Sequence, residues 1–366
     1  MDGPSREELR RLAEWQPEGG VISVYLDIDP ADRGGGWKIE LHERLKEIAK
    51  ASHTGAERGA VAAAAERILA HFPENGPPPP RRVQIGFVEV AAEGREVWQG
   101  VQGRLDRPLV VRGPAPRLTP LVRILDGSEP VGVVITALES ARAFEWSLGR
   151  LSPLGSWELE MFSGDWRERK SPQRDPQASG TGTTAAGREQ YGQRLDHNRA
   201  RFLKELGHLL ATRFGDRGWS WILVFGEGEL PRLLNTGLGP LEKLVREVHH
   251  DLIRATDSEV AAHVEGEISA IKEERDRALL DRVEEAIGTD SGAALGPEEV
   301  LQVLEEGRAS HVIFDPDGEF EPHDGQQITE LMISRGLATG ADITPVEGEF
   351  AERLAGRGGA VALLRY

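Results

Sequence analysis

Glycine and glutamine occur together in the segment TAAGREQYGQRLDHNRARFLKEL, which spans residues 184–206. Gly187 and Gln190 are three residues apart, and Gln193 directly follows a second glycine, Gly192. A glutamine amide does not titrate, so it cannot act as a general acid or base, but it can hold a water molecule by donating and accepting hydrogen bonds together. Glycine lets the backbone approach a crowded site because it has no Cβ. Such a pairing suits the positioning of water at an ester carbonyl; an inert polar loop is the alternative.

The same segment reverses the sign of the chain's charge. The 366 residues carry a formal net charge of −17, which argues against a protein that coats nucleic acid through its overall field. Between Asp165 and Lys204, however, basic residues outnumber acidic ones. One local patch can therefore still contact RNA, and the candidate contacts are Arg188, Arg194, Arg199, Arg201 and Lys204.

A long amphipathic helix is predicted from about Glu189 to Phe214. At about 100° per residue, its apolar residues fall on one side, which we expect to pack on a sheet: Tyr191, Leu195, Phe202, Leu206 and Leu209. A basic ridge lies about 130° away and consists of Arg194, His197, Arg201, Lys204 and His208. Such a ridge fits a phosphate backbone, and a solvated face that merely carries charge is the alternative.

Composition limits the remaining classes of function. The chain has no cysteine, so disulfides, a thiolate nucleophile and a cysteine-based zinc site are excluded. Apolar residues make up 39%, and no window approaches the roughly 18 apolar residues of a membrane span. The N-terminus is charged and helix-like rather than a signal sequence. We expect a cytoplasmic protein with no cofactor and with neither a membrane nor DNA as a partner.

The elements that must position the glutamine segment predict an α/β fold with three domains. Residues 1–117 form an N-terminal α/β domain, in which the strand VISVYLDI and two helices precede a meander of three strands. Residues 118–288 form a mixed-sheet domain with a hairpin, VGVVITA and ARAFEWSL, and a buried strand, WSWILVFG. A mobile loop over 170–190 is expected there, because its polar composition cannot offset the entropy of ordering. Residues 289–366 form an α/β sandwich.

Two other constellations favour structure over chemistry. His249 and His250 suggest a metal, but no carboxylate lies at a persuasive ligand spacing. The acidic segment FDPDGEFEPHDG does not match the twelve-residue calcium loop. We interpret the first as structural, within a short strand HHDLIRA, and the second as an acidic surface turn.

The order and spacing of these elements resemble the archaeo-eukaryotic class I release factors and Pelota, and among them the Vms-like branch. The resemblance spans nearly the whole chain and is carried by VISVYLDIDP, GVVITALESARAFEW, HNRARFLKEL, WILVFG, EEVLQVLEEGRASHVIFD and GGAVALLRY. It implies an RNase H-like central domain whose loop enters the peptidyl-transferase centre, and a C-terminal domain similar to kink-turn-binding ribosomal proteins.

The resemblance also implies a function. Release factors carry the tripeptide Gly-Gly-Gln in this loop, and this chain has no such tripeptide. The Vms-like branch carries Gly-x-x-Gln instead, which is the spacing of Gly187 and Gln190. Gln193 in YGQ is the competing placement of the glutamine. No Asn-Ile-Lys-Ser motif is present, so stop-codon decoding is not expected. The expected function is hydrolysis of peptidyl-tRNA on stalled ribosomes, in ribosome rescue or quality control, with large-subunit rRNA and tRNA as partners and a delivery GTPase as a candidate. The alternative is a non-catalytic factor that occupies the ribosomal A site in hibernation or rescue; an RNA adaptor away from ribosomes fits the net charge least.

Overall fold

Three β-sheets and the helices around them make this chain a mixed α/β protein, as the sequence predicts. The computed structural model describes residues 6–28, 36–72, 82–101, 105, 107–160, 165–168, 185–288, 292–323 and 326–365, with the backbone alone over 185–194. Contacts between residues divide the chain into two compact units. The first comprises residues 1–128 and 270–366, and the second comprises residues 129–269. The division into three domains stays a prediction.

The N-terminal sheet of the first unit has the order β3-β2-β1-β4. Its strands are β1 (Val21–Asp27), β2 (Val83–Glu89), β3 (Glu96–Val101) and β4 (Leu109–Gly113). The helices of this region are α1 (Arg6–Ala13), α2 (Gly36–Lys50) and α3 (Gly55–His71). The predicted meander is wrong at β4, which pairs with β1 instead of β3. This pairing places the buried strand β1 inside the sheet and gives its backbone groups partners on both edges.

A second four-stranded sheet of the first unit lies near the C-terminus and has the order β11-β14-β12-β13. Its strands are β11 (Ala293–Leu295), β12 (Ala309–Phe314), β13 (Asp342–Pro345) and β14 (Ala360–Leu364). The accompanying helices are α4 (Thr119–Leu125), α8 (Pro297–Glu305), α9 (Ile328–Thr339) and α10 (Glu349–Ala355). Strand β11 pairs antiparallel with β14.

The second unit contains a six-stranded sheet with the order β10-β9-β5-β6-β7-β8. The predicted hairpin is confirmed as the antiparallel pair β5 (Val131–Thr136) and β6 (Ser140–Ser147). Strands β7 (Arg150–Leu159) and β8 (Trp166–Glu168) extend the sheet on that side. On the other side, β9 (Trp221–Phe225) lies between β5 and β10 (Val245–Val248) and is parallel to both. The prediction of a buried parallel strand is therefore confirmed.

The helices of the second unit are α5 (Ala185–Phe214), α6 (Leu230–Asn235) and the first part of α7 (Asp257–Gly288), whose remainder belongs to the first unit. The predicted strand HHDLIRA is wrong: the strand lies just before it, at β10, where Val245 and Val248 bring β-branched side chains to the sheet. A 3₁₀ helix, Gly239–Leu244, directly precedes β10. Among the described residues, no helix is long and apolar enough to cross a membrane.

Candidate functional site

Helix α5 carries every residue predicted for catalysis and RNA binding. It has 30 residues, which at about 1.5 Å per residue gives a length of about 45 Å. The helix begins at Ala185, four residues before the predicted start, so residues 185–190 of the expected mobile loop are helical; residues 169–184 lie outside the described residues. Ala, Arg, Glu and Gln are strong helix formers and outweigh the cost of one glycine at Gly187.

The candidate catalytic residues therefore lie on helical backbone rather than in a loop. Gly187, Gln190 and Gln193 belong to the first three turns of α5. Their side chains, like those of Arg188 and Arg194, lie outside the described residues. Because the first four N–H groups of a helix have no intrahelical acceptor, the N–H of Gly187 faces no competing bond inside the helix.

One face of α5 packs on the sheet, as the periodicity predicts. Phe202 and Leu206 are fully buried in the same apolar cluster as Ile222 and Val224 of β9. Leu209 is partly buried, whereas Leu203 and Leu210, absent from the predicted set, are fully or almost fully buried.

A glycine pair brings α5 close to the turn after α6. A Cβ built on Gly207 would lie 2.5 Å from the carbonyl oxygen of Leu234, and one built on Gly237 would lie 2.1 Å from that of Lys204. Both distances are shorter than van der Waals contact, and the atoms met are backbone. The position of α5 over this turn therefore depends on two residues without side chains.

The opposite face of α5 is exposed and basic. His197, Arg201, Lys204 and His208 are exposed, and at about 100° per residue they fall within about 60° of one another. Arg201 lies 3.8 Å from Glu205, which is also on α5. The described part of the predicted ridge is thus accessible to a partner.

Arg199 differs from the expectation of a cation that faces solvent. Its side chain is only 20% exposed, because it lies on the buried face of α5, one turn before Phe202 and Leu203. Its guanidinium donates to Asp196 at 3.1 Å and lies 3.7 Å from Glu139 in the β5–β6 turn. Arg199 thus contacts carboxylates of its own chain.

Strand β8 contacts α5 through polar side chains whose pairing the sequence does not predict. The indole Nε1 of Trp166 donates to Glu205 at 2.8 Å, and the Trp166 ring lies edge-on to Phe202. Arg213 donates to both carboxylate oxygens of Glu168 at 2.9 Å. Partners distant in sequence could be identified only from the fold.

The two other constellations have structural contacts. The ring of His250 packs against that of His263 with centroids 4.3 Å apart, and within the described ranges no group of three or more His, Asp or Glu side chains is placed to hold a metal. In the acidic turn, Asp317 accepts from Arg123 of α4 at 3.0 Å with both carboxylate oxygens. The carboxylate of Asp317 therefore has a structural partner in Arg123 of α4.

One known protein family is similar to the second unit. The family described as "Bacterial archaeo-eukaryotic release factor family 10" matches residues 116–269, and the second unit ends at the same residue. No curated protein sequence matches the chain.

Among solved structures, the archaeal translation termination factor aRF1 is 16% identical, with a TM-score of 0.28 over 100% of this chain and 99% of its own. Archaeoglobus fulgidus Pelota is 13% identical, with a TM-score of 0.37 over 100% and 94%. S. cerevisiae Dom34 is 10% identical, with a TM-score of 0.46 over 78% and 80%. At these scores the superpositions do not by themselves establish a shared arrangement. The family model matches less than half of the chain, so the similarity concerns residues 116–269, which include the whole of the second unit.

Proposed function

We propose that the protein is a ribosome-associated release or rescue factor of the Vms-like kind, which hydrolyses the ester of peptidyl-tRNA on stalled ribosomes. The observation that carries this proposal is the exposed basic face of α5, which lies within the residues that the release-factor family model matches. The predicted Gly187 and Gln190 lie on the same helix, N-terminal to that face. A partner that contacts Arg201 and Lys204 through phosphate groups would lie along the helix that carries the glutamine.

In the proposed reaction, Gln190 orients the attacking water, with Gln193 as the competing residue. Water adds to the ester carbonyl, the ester bond breaks, and the proton passes to the leaving 3′ oxygen of the tRNA. No side chain on α5 needs to titrate, since positioning and electrostatic stabilisation can lower such a barrier by several kcal/mol. The N–H of Gly187 and the positive end of the helix dipole would favour the developing oxyanion.

Partner contacts in this proposal are electrostatic. Arg201 and Lys204 contact large-subunit rRNA or the tRNA acceptor stem, together with Arg188 and Arg194. Replacing Arg201 or Lys204 by alanine should each reduce the dependence of binding on log salt by about one unit, because each phosphate contact releases about one counterion. Glu242→Ala, at an exposed acidic residue on the 3₁₀ helix, should leave that dependence unchanged.

A hydrolysis assay on peptidyl-tRNA in stalled ribosomes tests the reaction. Wild type is compared with Gln190→Ala and with Gln193→Ala. We expect one glutamine variant to lose at least about 100-fold in rate, the scale on which a misplaced reactant slows an enzyme, while ribosome co-sedimentation persists. Equal rates in all three proteins would remove glutamine from the mechanism.

One observation favours a second candidate, a non-catalytic factor that occupies the A site. The Gly187 to Gln190 segment is helical, so most of its backbone is committed to helix geometry instead of a loop that can adapt. This candidate predicts co-sedimentation with ribosomes and no release of nascent chains by the wild-type protein. A delivery GTPase is a proposed partner in both cases, and its addition to the assay distinguishes delivery from unaided binding.

A further inference from the structure

Arg199 and Glu205 lie where α5 is attached to its own sheet. Arg199 is near Glu139 in the β5–β6 turn, with a nitrogen–oxygen distance of 3.7 Å. Glu205 accepts the indole N–H of Trp166 in β8 at 2.8 Å. These contacts connect α5 to two different parts of the six-stranded sheet.

The two contacts lie on different flanks of the helix. Residues 199 and 205 are six apart, which at about 100° per residue separates them by about 120° around the axis. The β5–β6 turn therefore restrains one flank and β8 restrains another. Between the two flanks, Phe202 and Leu206 are fully buried.

A helix with apolar contacts on one face can still rotate or tilt, because the hydrophobic effect is non-directional. Hydrogen bonds and ion pairs require defined distances and angles, so they select one rotation and one tilt. About 20 Å of helix lies between Ala185 and Arg199, at about 1.5 Å per residue. A tilt of a few degrees at Arg199 would move the start of α5 by more than an ångström.

We propose that Arg199 and Glu205 are positioning residues that set the direction of the N-terminal half of α5, Arg199 through Glu139 and Glu205 through Trp166. Arg199 then has no direct contact with RNA, unlike Arg201 and Lys204. The consequence for catalysis rests on the proposed function, but the positioning itself does not.

The charges around Arg199 support this role. Its Nη1 donates to Asp196 and its Nη2 faces Glu139, and its Nε is buried without a hydrogen-bond partner among the described residues. A phosphate would have to displace one of two carboxylates to reach a guanidinium that is 20% exposed. Arg201, with a side chain 44% exposed, is far more accessible on the same helix.

Distances between two spin labels in the free protein test the proposal. The chain has no cysteine, so His197→Cys and Arg232→Cys introduce the only two labelling sites, both at exposed residues of the second unit. We expect a narrow distance distribution in the otherwise wild-type protein and a broader or shifted one in Glu139→Gln and in Trp166→Phe. Trp166→Phe keeps a ring beside Phe202 and removes the N–H. Lys204→Ala, on the exposed face, should leave the distribution unchanged.

A charge exchange separates positioning from RNA contact. Arg199→Glu and Glu139→Arg, made together in an Asp196→Asn background, preserve the ion pair and place a negative charge on α5 without a second carboxylate beside it. The proposal predicts that this exchanged variant has the narrow distribution and binds ribosomes within about threefold of wild type, well under the tenfold that about 1.4 kcal/mol would give. Binding that stays weak would show that Arg199 contacts phosphate.

Should the exchanged pair fail to fold, Glu139→Gln still decides the matter, because Glu139 is 46% exposed and its replacement is mild. A distribution unchanged in both Glu139→Gln and Trp166→Phe would overturn the proposal. Because these measurements need no ribosome, they stand even if the protein releases no nascent chain.

Discussion

Asp126 at the end of α4 accepts two hydrogen bonds from Arg275 of α7, at 2.7 and 3.1 Å, across 149 residues of sequence. Lys272 lies 3.0 Å from the same carboxylate. Arg275 also contacts Asp276, whose side chain is 3% exposed. Burial raises the pKa of Asp276, so Arg275 holds two carboxylates that are both withdrawn from water.

Replacing Arg275 should destabilise the first unit more than replacing Lys272. Arg275→Ala leaves Asp126 and Asp276 near each other without their shared partner, and breaking a buried pair costs about 3 kcal/mol. Lys272→Ala removes one contact and leaves the paired guanidinium, so we expect a loss of about 1 kcal/mol or less. Urea unfolding of both variants checks this order. Equal losses would mean that the guanidinium does not neutralise the two carboxylates together.

Glu330 of α9 supplies the N-terminal cap that α4 lacks in its own sequence. Its carboxylate accepts from the N–H groups of Leu118 and Thr119 at 2.6 and 3.0 Å and from the Thr119 hydroxyl at 2.6 Å. The residue at the cap position, Leu118, makes no side-chain cap hydrogen bond. Glu330→Ala should therefore lower the free energy of unfolding by about 2–3 kcal/mol, since charge-assisted bonds and a cap are both lost.

Glu330→Gln keeps one acceptor oxygen, and its loss should be intermediate. The matched control is Glu347→Ala, which removes a carboxylate that pairs with Arg123 and is 46% exposed; we expect a change below about 1 kcal/mol. Thermal unfolding of the three variants provides the comparison. A control as destabilised as Glu330→Ala would contradict capping as the cause.

The glycines of α5 and α7 should respond oppositely to alanine. In Gly207→Ala the new Cβ meets backbone atoms of Leu234 and Gly237 at 2.5 and 2.8 Å, so α5 must shift, at a cost of about 1–3 kcal/mol. At Gly266 in α7, a Cβ would meet nothing within 4 Å. Gly266→Ala should therefore stabilise by about 0.5–1 kcal/mol through helix propensity. Thermal melts followed by circular dichroism give the sign of the stability change in each variant. A stabilised Gly207→Ala would contradict the close approach of α5 to the turn after α6.

Periodicity and composition predict those features of the fold that depend on neighbours in sequence. The buried strand β9 follows from the apolar run WILVF, and the buried and exposed faces of α5 follow from its 3.6-residue repeat. The pairing of β4 with β1 could not be predicted, because each edge of the sheet offers the same backbone groups. The roles of Glu330 and Arg275 do not follow from the sequence, because their partners lie far along the chain.

Arg199 shows the limit for the candidate site. Its position on the buried face could be computed from the helical period, but a positive charge in a basic segment suggests RNA contact. Only the position of Glu139 shows where the charge is neutralised. The catalytic assignment of Gln190 stays a prediction that rests on the resemblance and on its spacing from Gly187.

Histidine burial should make the first unit less stable as the pH falls below neutrality. Burial lowers the pKa of His311 from its ordinary value of 6.5. The carboxylate of Asp342 opposes this decrease, whereas the positive charges of Arg282 and Arg275 add to it. His311 lies 2.8 Å from the Thr344 hydroxyl. The unfolded chain therefore binds a proton at a pH where the folded chain does not. The contribution of the neutral His311 to the free energy of unfolding is fully present above the unfolded pKa of 6.5, and it is lost as the pH falls from there toward the folded pKa. Burial also lowers the pKa of His71, which stacks on Trp98, and adds a change of the same sign.

Urea midpoints at about pH 7.5 and about pH 5.5 measure this dependence. We expect a lower urea midpoint at the lower pH in wild type. The difference between the two midpoints should be smaller in His311→Gln, which cannot take up the proton. The difference that remains in this variant is attributed to His71. The control His53→Gln replaces an exposed histidine of the same unit and should retain the wild-type difference. If His311→Gln shows the full wild-type difference, protonation of His311 does not oppose folding, and the burial of its ring has no consequence for stability in this pH range.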